Sequence, residues 1–400
     1  MPRRGNSRTM PFPSWLPALL GLLAAVGPIS TDMYLPAFPA IEAALGGRPG
    51  TAQVTLATWF LGLAIGQITQ GTLSDRFGRR APLIAGTALY TLASIGCAVA
   101  PDLATLAAMR FLAAVGGSAS MVIPRAIVRD LSDGHAAARM MSQLMLVMGV
   151  APILAPTLGG FVLATLGWQA IFWLVALYGA ICGVVVWRIL PETLEPARRV
   201  RLSLVEQITR YRAIIVERSF LSHAAIGGFA LFGLFAYLGG APGVFIDRFH
   251  LTPALFGMLF GGCAAGFIGA SQINPHAIRR FGAGRVIRVA VGVYVVATAG
   301  MSVVALAGIG PWWTIAAPVL VSMMSMGFVL PNATVGALSR HAGHAGSASA
   351  LMGTMQFCLG AVSGLLVGVL ADGSARPMAL LMLLGAACAL VADAFRPKPP

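Results

Sequence analysis

Residues 71–80 read GTLSDRFGRR, a short and strongly basic segment between two long apolar runs. The run before it covers about residues 51–71, and the run after it covers about residues 81–100. Each is about 20 residues long, which is the length that an α-helix needs to cross the hydrocarbon core of a bilayer. The stretch therefore predicts two membrane helices joined by a tight basic loop.

The composition extends this prediction to the whole chain. Of 400 residues, 58% are hydrophobic and only 10% are charged, whereas a soluble domain carries about 25% charged residues. We expect an all-α membrane protein with twelve transmembrane helices, at about 15–40, 51–71, 81–100, 103–124, 138–163, 167–189, 221–243, 254–274, 286–308, 312–334, 346–370 and 376–395.

The basic residues predict the orientation of these helices. Short loops rich in Lys and Arg stay in the cytoplasm, and placing both termini there puts most of the 27 basic residues on the cytoplasmic side. A net charge of +14 could also indicate nucleic-acid binding, but dispersal over short loops argues against it. We therefore expect a multi-pass membrane protein with both termini in the cytoplasm.

The chain also divides into two halves. Residues 191–220 form the only long polar stretch, so we expect an N-terminal six-helix half (1–190), a cytoplasmic linker and a C-terminal six-helix half (221–400). RFGRR at 76–80 matches RFGAG at 280–284, which indicates duplication. Two pseudo-symmetric halves are typical of a transporter that encloses its site between them at mid-membrane.

The scarcity of lysine restricts the energy source for transport. A nucleotide-binding P-loop needs a lysine after its glycines, and the only lysine is Lys398. Transport is therefore passive or coupled to an ion gradient.

The five cysteines fall inside predicted spans and show no metal-ligand spacing, so we expect no metal and no cofactor. No combination of nucleophile, base and orienting group lies at membrane depth, so an enzyme is not expected.

Asp32 is an acid inside the first apolar run. An ionisable side chain at membrane depth costs at least ~2.5 kcal/mol on insertion scales, so it normally faces a cavity or a partner. Pro28 and Pro36 flank Asp32 and favour an irregular backbone, which suits a cavity-lining position. Glu42 is the more natural surface acid. Asp32 could instead lie near the outer end of its helix, hydrated or capping a neighbour.

Arg110, in the fourth apolar run, is the counterpart of Asp32 within the membrane. A neighbouring arginine would keep Asp32 charged, whereas burial alone would favour the protonated acid. An acid that moves between these environments can take up and release a proton. Arg110 could instead pair with backbone carbonyls or polar side chains in the interior of the bundle.

The loop motif resembles that of a known family. In the loop, Gly71 and Gly78 permit close packing and a tight turn, Asp75 can accept backbone or arginine donors, and three arginines anchor the cytoplasmic face: Arg76, Arg79 and Arg80. The segment is similar to the loop signature G-x-L-x-D-R-x-G-R-R of the major facilitator superfamily. Further strings resemble its Bcr/CflA subgroup of drug:proton antiporters: STDMYLPAFP at 30–39, MRFLAAVGG at 109–117, VRD at 128–130, APILAPTLGG at 151–160 and PNATVGALSRHAGHAGSASALMG at 331–353.

The resemblance implies proton-coupled export by alternating access. It places Asp75 in a cytoplasmic gate, in contact with the start of the eleventh helix or with an arginine such as Arg129. It assigns the fifth helix to an antiporter motif, in which four residues let two helices pack closely and rock: Pro152, Pro156, Gly159 and Gly160. The copy at 280–284 lacks the acid, so we expect the two halves to gate differently.

The substrate is the least determined feature. We expect a small drug-like or metabolite molecule, protons as the coupled ion and a monomer in the bilayer. Depth and polarity select four residues for the substrate cavity: Tyr34, Phe235, Tyr237 and Asn274. A carrier for one metabolite, such as an amino acid or its derivative, would use the same fold. A channel or receptor is disfavoured by the duplicated halves.

Overall fold

The computed structural model describes residues 15–48, 50–131, 134–199, 204–341 and 345–397. Within these ranges the chain is helical and contains no β-strand. The expected cytoplasmic termini fall on residues 1–14 and 398–400, which lie outside the described residues.

The first apolar runs form seven helices that build six spans, because the first span is broken in two. They are α1 (Leu16–Asp32), α2 (Phe38–Ala44), α3 (Ala52–Phe77), α4 (Arg80–Ala98), α5 (Leu103–Leu131), α6 (Gly134–Leu166) and α7 (Trp168–Ile189). The remaining helices are α8 (Leu204–Ile215), α9 (Arg218–Pro242), α10 (Pro253–Phe281), α11 (Ala283–Ala307), α12 (Trp313–Leu338), α13 (Ala345–Val369) and α14 (Arg376–Ala394).

The prediction of an all-α membrane protein is confirmed. In the described part of the chain, eleven helices are long and apolar enough to cross a membrane, and Val150–Leu166 of α6 is a shorter apolar helix. Several helices are longer than their apolar runs: α5 was expected to end near residue 124 and ends at Leu131. Hydropathy marks the part inside the hydrocarbon, whereas the backbone hydrogen bonds continue into the polar ends.

The polar stretch 191–220 is more ordered than a simple linker. It contains α8, which packs against α9 and α13, and the Gln207 side chain donates a hydrogen bond to Thr72 at the end of α3. The helix α8 therefore touches both groups of spans.

The spans pack as two groups that meet along two seams. In the first group α5 packs against α3 and α4, and in the second α9 packs against α13 and α14. The seams between the groups are α3 with α13 and α6 with α10.

The first span breaks just after Asp32, which confirms the expected irregular backbone. The helix α1 stops at Asp32, Met33 and Tyr34 form a bend, and a 3₁₀ turn (Leu35–Ala37) leads into α2. Pro36 stands in the first turn of this 3₁₀ segment, where its missing N–H is tolerated. The Ala37 N–H donates to the Tyr34 carbonyl, so the α-helical pattern is interrupted at Met33.

Glu42 is not the surface acid that the sequence suggested. It is buried and accepts hydrogen bonds from the backbone N–H groups of Gly50 and Ala52, both at 2.9 Å. It satisfies donors at the start of α3 that a helix leaves unpaired, and thereby joins the first two spans.

The two ends of the bundle differ in charge and packing. Because successive spans alternate in direction, the arginine-rich end carries the turns after α3 and α10, the end of α5 and the helix α8. At the opposite end the two groups are in close contact. Gln53 donates to the Gly239 carbonyl at 3.0 Å, and the backbones of Gly50 and Gly368 approach so closely that a Cβ on either would collide with the other.

Candidate functional site

Asp32 lies at the boundary between the two groups of helices. Only 6% of its surface is exposed, and its carboxyl group interacts electrostatically with the Tyr237 hydroxyl of α9. Among the described residues, no hydrogen bond or ion pair holds the Asp32 carboxyl group. A buried carboxyl group without a partner is far more stable protonated than charged.

Arg110 occupies an aromatic cage inside the first group. Its guanidinium carbon lies 4.1 Å from the centre of the Tyr34 ring and 4.2 Å from that of Trp59, with Phe172 at 5.9 Å. Arg110 is 2% exposed. Aromatic faces attract a desolvated cation, so the cage stabilises the buried charge without an acid.

The expected pairing of Asp32 with Arg110 is wrong for this conformation. Both side chains are described, and no ion pair joins them. Asp32 directly precedes the break, whose 3₁₀ turn packs against α9 and α10, whereas Arg110 contacts Tyr34, two residues further along. The sequence could show that both lie at membrane depth, but not that aromatic rings surround Arg110.

The basic loop is organised around Arg79. Its side chain donates to Asp75 at 2.5 Å and to Asp130, at the end of α5, at 2.7 Å. Burial disfavours the charge of Arg79, but the hydrogen bonds with Asp130 and Asp75 outweigh this effect and raise the pKa of Arg79. The expected partner of Asp75 was Arg129 or the start of α13, whereas the structure shows Arg79 in that role.

Glu192, just after α7, binds the backbone of the basic loop. Neither Glu192 nor Asp130 was assigned a role from the sequence. The Glu192 carboxylate accepts from the backbone N–H groups of Arg79 and Arg80 at 2.8 and 3.2 Å. Burial works against its charge, but these and two further backbone donors outweigh it and lower the pKa of Glu192. A signal existed in PETLEP at 191–196, since an acid directly after an apolar run can cap a neighbouring helix.

The two loop glycines have different roles. Gly78 has φ +94°, and a Cβ there would overlap the Glu192 carboxylate, so the tight turn is confirmed. Gly71 lies within α3, and a Cβ there would meet only Val122, at 3.9 Å. The expectation that Gly71 serves close packing is wrong in this structure.

A cavity of about 410 Å³ separates the two groups at the arginine-rich end. It is lined by residues of α3, α5, α8 and α13 and of the loop, and Asp75, Arg129 and Gly346 are among them. We call it the arginine vestibule, after its lining residues Arg76, Arg79, Arg125, Arg129 and Arg210.

The helix α6 touches both the break and the second group. A Cβ on Gly159 would overlap the Met33 carbonyl, and one on Gly160 would lie 2.7 Å from the Pro253 carbonyl at the start of α10. Pro152 and Pro156 lie inside the same helix. The predicted close packing at these glycines is confirmed.

The four residues expected in a substrate cavity are all buried. Phe235 packs against Phe60 of α3 in a tilted arrangement, with ring centres 3.9 Å apart. Asn274 accepts a hydrogen bond from the Asn332 side chain at 2.8 Å, and Tyr237 stacks on Phe260. None of the four lines the arginine vestibule.

The second copy of the loop is built differently, as its missing acid suggested. Its acid is Asp393 of α14, which pairs with Arg288 at 3.3 Å and with Arg396 at 2.8 Å. Arg396 also donates to the Gly284 carbonyl, beside the turn.

Comparison with known proteins gives the family. The sequence model described as Major Facilitator Superfamily matches residues 20–365. The chain belongs to the Major Facilitator Superfamily. Its fold agrees, since it superimposes on a bacterial homolog of the human lysosomal transporter Spinster, in an inward-facing and occupied conformation, with a TM-score of 0.71. That match has 16% sequence identity and covers 97% of this chain and 96% of that chain.

Two relatives within the Major Facilitator Superfamily align over most of their length. The chain is 36% identical over 376 residues to the uncharacterized MFS-type transporter YdgK of Bacillus subtilis, with 92% of each chain covered. It is 29% identical over 363 residues to a bicyclomycin resistance protein homolog of Haemophilus influenzae, with 91% of each covered. The chain is thus a multi-pass membrane transporter with a drug-resistance relative.

Proposed function

We propose that the chain exports drug-like molecules across a bacterial inner membrane in exchange for protons. The name of the bicyclomycin resistance relative supports the drug-like substrate. The arginine-rich end lies in the cytoplasm by the positive-inside rule, so both termini do as well. The two groups of helices move as bodies, with boundaries near residues 190 and 220.

The position of Asp32 carries the proposal. A buried acid without an ionic partner holds a proton in this conformation, and it lies at the boundary that must open during transport. When the boundary opens to the outside, water or substrate reaches Asp32 and the proton is exchanged. Proton binding from the outside then competes with the substrate or triggers its release.

Arg110 responds to the same movement through Tyr34. The Tyr34 ring lies over the guanidinium and belongs to the break that follows Asp32. A shift of the break changes the distance between acid and base, so an ionised Asp32 can approach Arg110 in another state. Asp32 and Arg110 are therefore coupled through a conformational change and not through a permanent ion pair.

The packing supports alternating access. The opposite end is closed by Gln53 with Gly239 and by Gly50 with Gly368, and the arginine vestibule lies at the cytoplasmic end, as in an inward-facing state. The Arg79 cluster acts as the cytoplasmic gate, and Gly159 and Gly160 are the pivot at the seam. Phe235, Tyr237, Tyr34 and Asn274 face substrate once the centre opens.

A carrier for one metabolite, such as an amino acid derivative, is the second candidate. It would use the same proton site, because the buried acid does not depend on the substrate. The name of the 36% identical relative, an uncharacterized transporter, gives no substrate. The experiment below therefore distinguishes the two candidates.

The test uses proteoliposomes with an acidic lumen that contains a pH-sensitive dye. Bicyclomycin is uncharged, so it cannot dissipate the gradient as a weak base does. Adding it outside should raise the lumenal pH with the wild-type protein and leave it unchanged with Asp32→Asn. The matched control is Asp102→Asn, because Asp102 caps α5 through the Thr105 N–H at 2.7 Å and Asn caps equally well.

Each outcome has one meaning. A response in the wild type and the control but not in Asp32→Asn supports drug:proton antiport through Asp32. Equal responses in all three would show that another group carries the proton. If bicyclomycin gives no response, amino acid derivatives are added in its place, and a response to them would favour the metabolite carrier.

A further inference from the structure

The arginine vestibule has more positive charge than its acids can balance. Among the described residues that line it, Asp75 is the single acid, and it is bound by Arg79. Arg79 also binds Asp130. Within the part of the chain that the structure describes, Arg76, Arg125, Arg129 and Arg210 make no ion pair with an acid.

Arg125 is the most enclosed of these arginines. It lies on α5, one helical turn before Arg129, and the two like charges interact unfavourably. The Arg125 Nε atom is buried and has no hydrogen-bond partner. The rest of the side chain lines the cavity, so an anion held there could supply the acceptors that the Arg125 guanidinium lacks.

The opposite wall of the vestibule also favours an anion. Gly346 and Ser347, in the first turn of α13, line the cavity. The first N–H groups of a helix have no partner inside the helix, and the helix dipole adds positive potential at that end. Arg129 lies beside Gly346, since its Nη1 atom is 3.9 Å from the Cβ position of that glycine.

The remaining lining is partly apolar. Ile68, Val122 and Ala126 provide hydrocarbon surface, and Gln67 and Tyr211 provide neutral polar groups. A volume of about 410 Å³ lies within the range of small-molecule sites. A free inorganic anion would leave this apolar surface unused.

We propose that Arg125 and the first turn of α13 bind the carboxylate of an amphipathic organic substrate. The planar guanidinium can donate two parallel hydrogen bonds to a carboxylate, while the ring system of the substrate packs on Val122 and Ile68. The vestibule therefore gives organic acids and zwitterions a contact that uncharged substrates lack as they leave the cytoplasm. This inference about carboxylate binding rests on the proposed function only for the direction of transport.

The test compares an acid with its own ester. Rhodamine 110 carries a free carboxylate, and rhodamine 123 is its methyl ester, so the two dyes differ at the group in question. Binding to the purified full-length protein in detergent is followed by fluorescence polarisation. Wild type should prefer the acid, and Arg125→Gln should reduce that preference about tenfold, as expected for charge-assisted hydrogen bonds.

Three further variants separate the site from folding. Arg125→Lys keeps the charge and should retain part of the preference. Ser347→Asp places a carboxylate in the first turn of α13, where an acid is favourable, and should abolish the preference while Arg125 is intact. Arg285→Gln removes an arginine from a different cavity, on the face of α11, and should change nothing.

The outcomes decide the proposal. A wild type without preference for the acid, whether it binds both dyes or neither, would overturn it, and so would an equal loss of both dyes in Arg125→Gln. Because binding is measured without a proton gradient, a carboxylate preference that depends on Arg125 would stand even if the antiport test failed.

Discussion

Gly159 of α6 packs directly against the backbone carbonyl of Met33, at the break of the first span. A side chain at residue 159 would occupy the position of that carbonyl, so only glycine permits this approach. The neighbouring Gly160 contacts the start of α10 in the other group. The helix α6 therefore links the Asp32 break to the seam between the groups.

Gly159→Ala should destabilise the protein by about 1 to 3 kcal/mol, the usual cost of overpacking, and slow transport. Thermal unfolding in detergent can be followed with a thiol-reactive dye, because Cys97, Cys182 and Cys263 are buried and free. Gly292→Ala is the control, since a Cβ there meets nothing within 4 Å and Ala favours a helix. Equal melting temperatures for the two variants would contradict the packing argument.

Arg110→Lys should lower stability although it conserves the charge. The ammonium group cannot stack flat on Tyr34 and Trp59 and is more strongly hydrated, so a loss of about 1 to 2 kcal/mol is expected. Arg188→Lys is the matched control, because Arg188 stacks on Trp187 at 4.7 Å in an exposed position. A similar small effect in both would show that the aromatic cage contributes little.

The sequence predicted those features that depend on hydrophobicity along the chain. Apolar length located the spans, and Pro36 predicted the irregular backbone after Asp32. The ion pairs were harder, because they depend on which side chains meet between distant segments. Arg79 selects Asp130, 51 residues away, and Glu192 reaches the loop from the end of α7.

The candidate site shows the same limit. Depth along a helix was readable for Asp32 and Arg110, but the rotation of each helix was not, so the sequence did not show that the two side chains form no ion pair in this conformation. Tyr34 was expected to line a cavity and instead covers Arg110. A single sequence contains no information on which aromatic rings surround a buried arginine.

Asp130→Asn should destabilise the protein more than Asp75→Asn, although both acids bind Arg79. The side chains of Arg79 and Asp130 are 7% and 9% exposed, and removing one partner of a buried pair costs about 3 kcal/mol. Asp75 is 53% exposed, so its loss should cost no more than about 1 kcal/mol. If both variants unfold at the same temperature, Arg79 does not depend on Asp130 for its burial.

Glu217→Ala should destabilise the start of α9 in a manner that depends on pH. The Glu217 carboxylate accepts from the N–H groups of Ser219 and Phe220 at 3.0 and 2.7 Å and lies near Arg340 and His341. Burial opposes its charge, but the backbone donors together with Arg340 and His341 outweigh it and lower the pKa of Glu217. The loss at neutral pH should be about 1 kcal/mol, as for other helix caps.

The sign of the pH effect follows from this direction. A carboxylate whose pKa is lower in the folded state stabilises the protein above its unfolded pKa, and the contribution disappears as the pH falls through the folded value. Wild type and Glu217→Ala should therefore differ in melting temperature at pH 7 and converge as the pH falls through the lowered pKa of Glu217. Glu195→Ala, in the linker, is the control, because Glu195 is exposed and its side chain caps no helix, and this variant should melt like the wild type at pH 7. A difference that persists at low pH would mean that Glu217 stabilises α9 by packing and not as a charged cap.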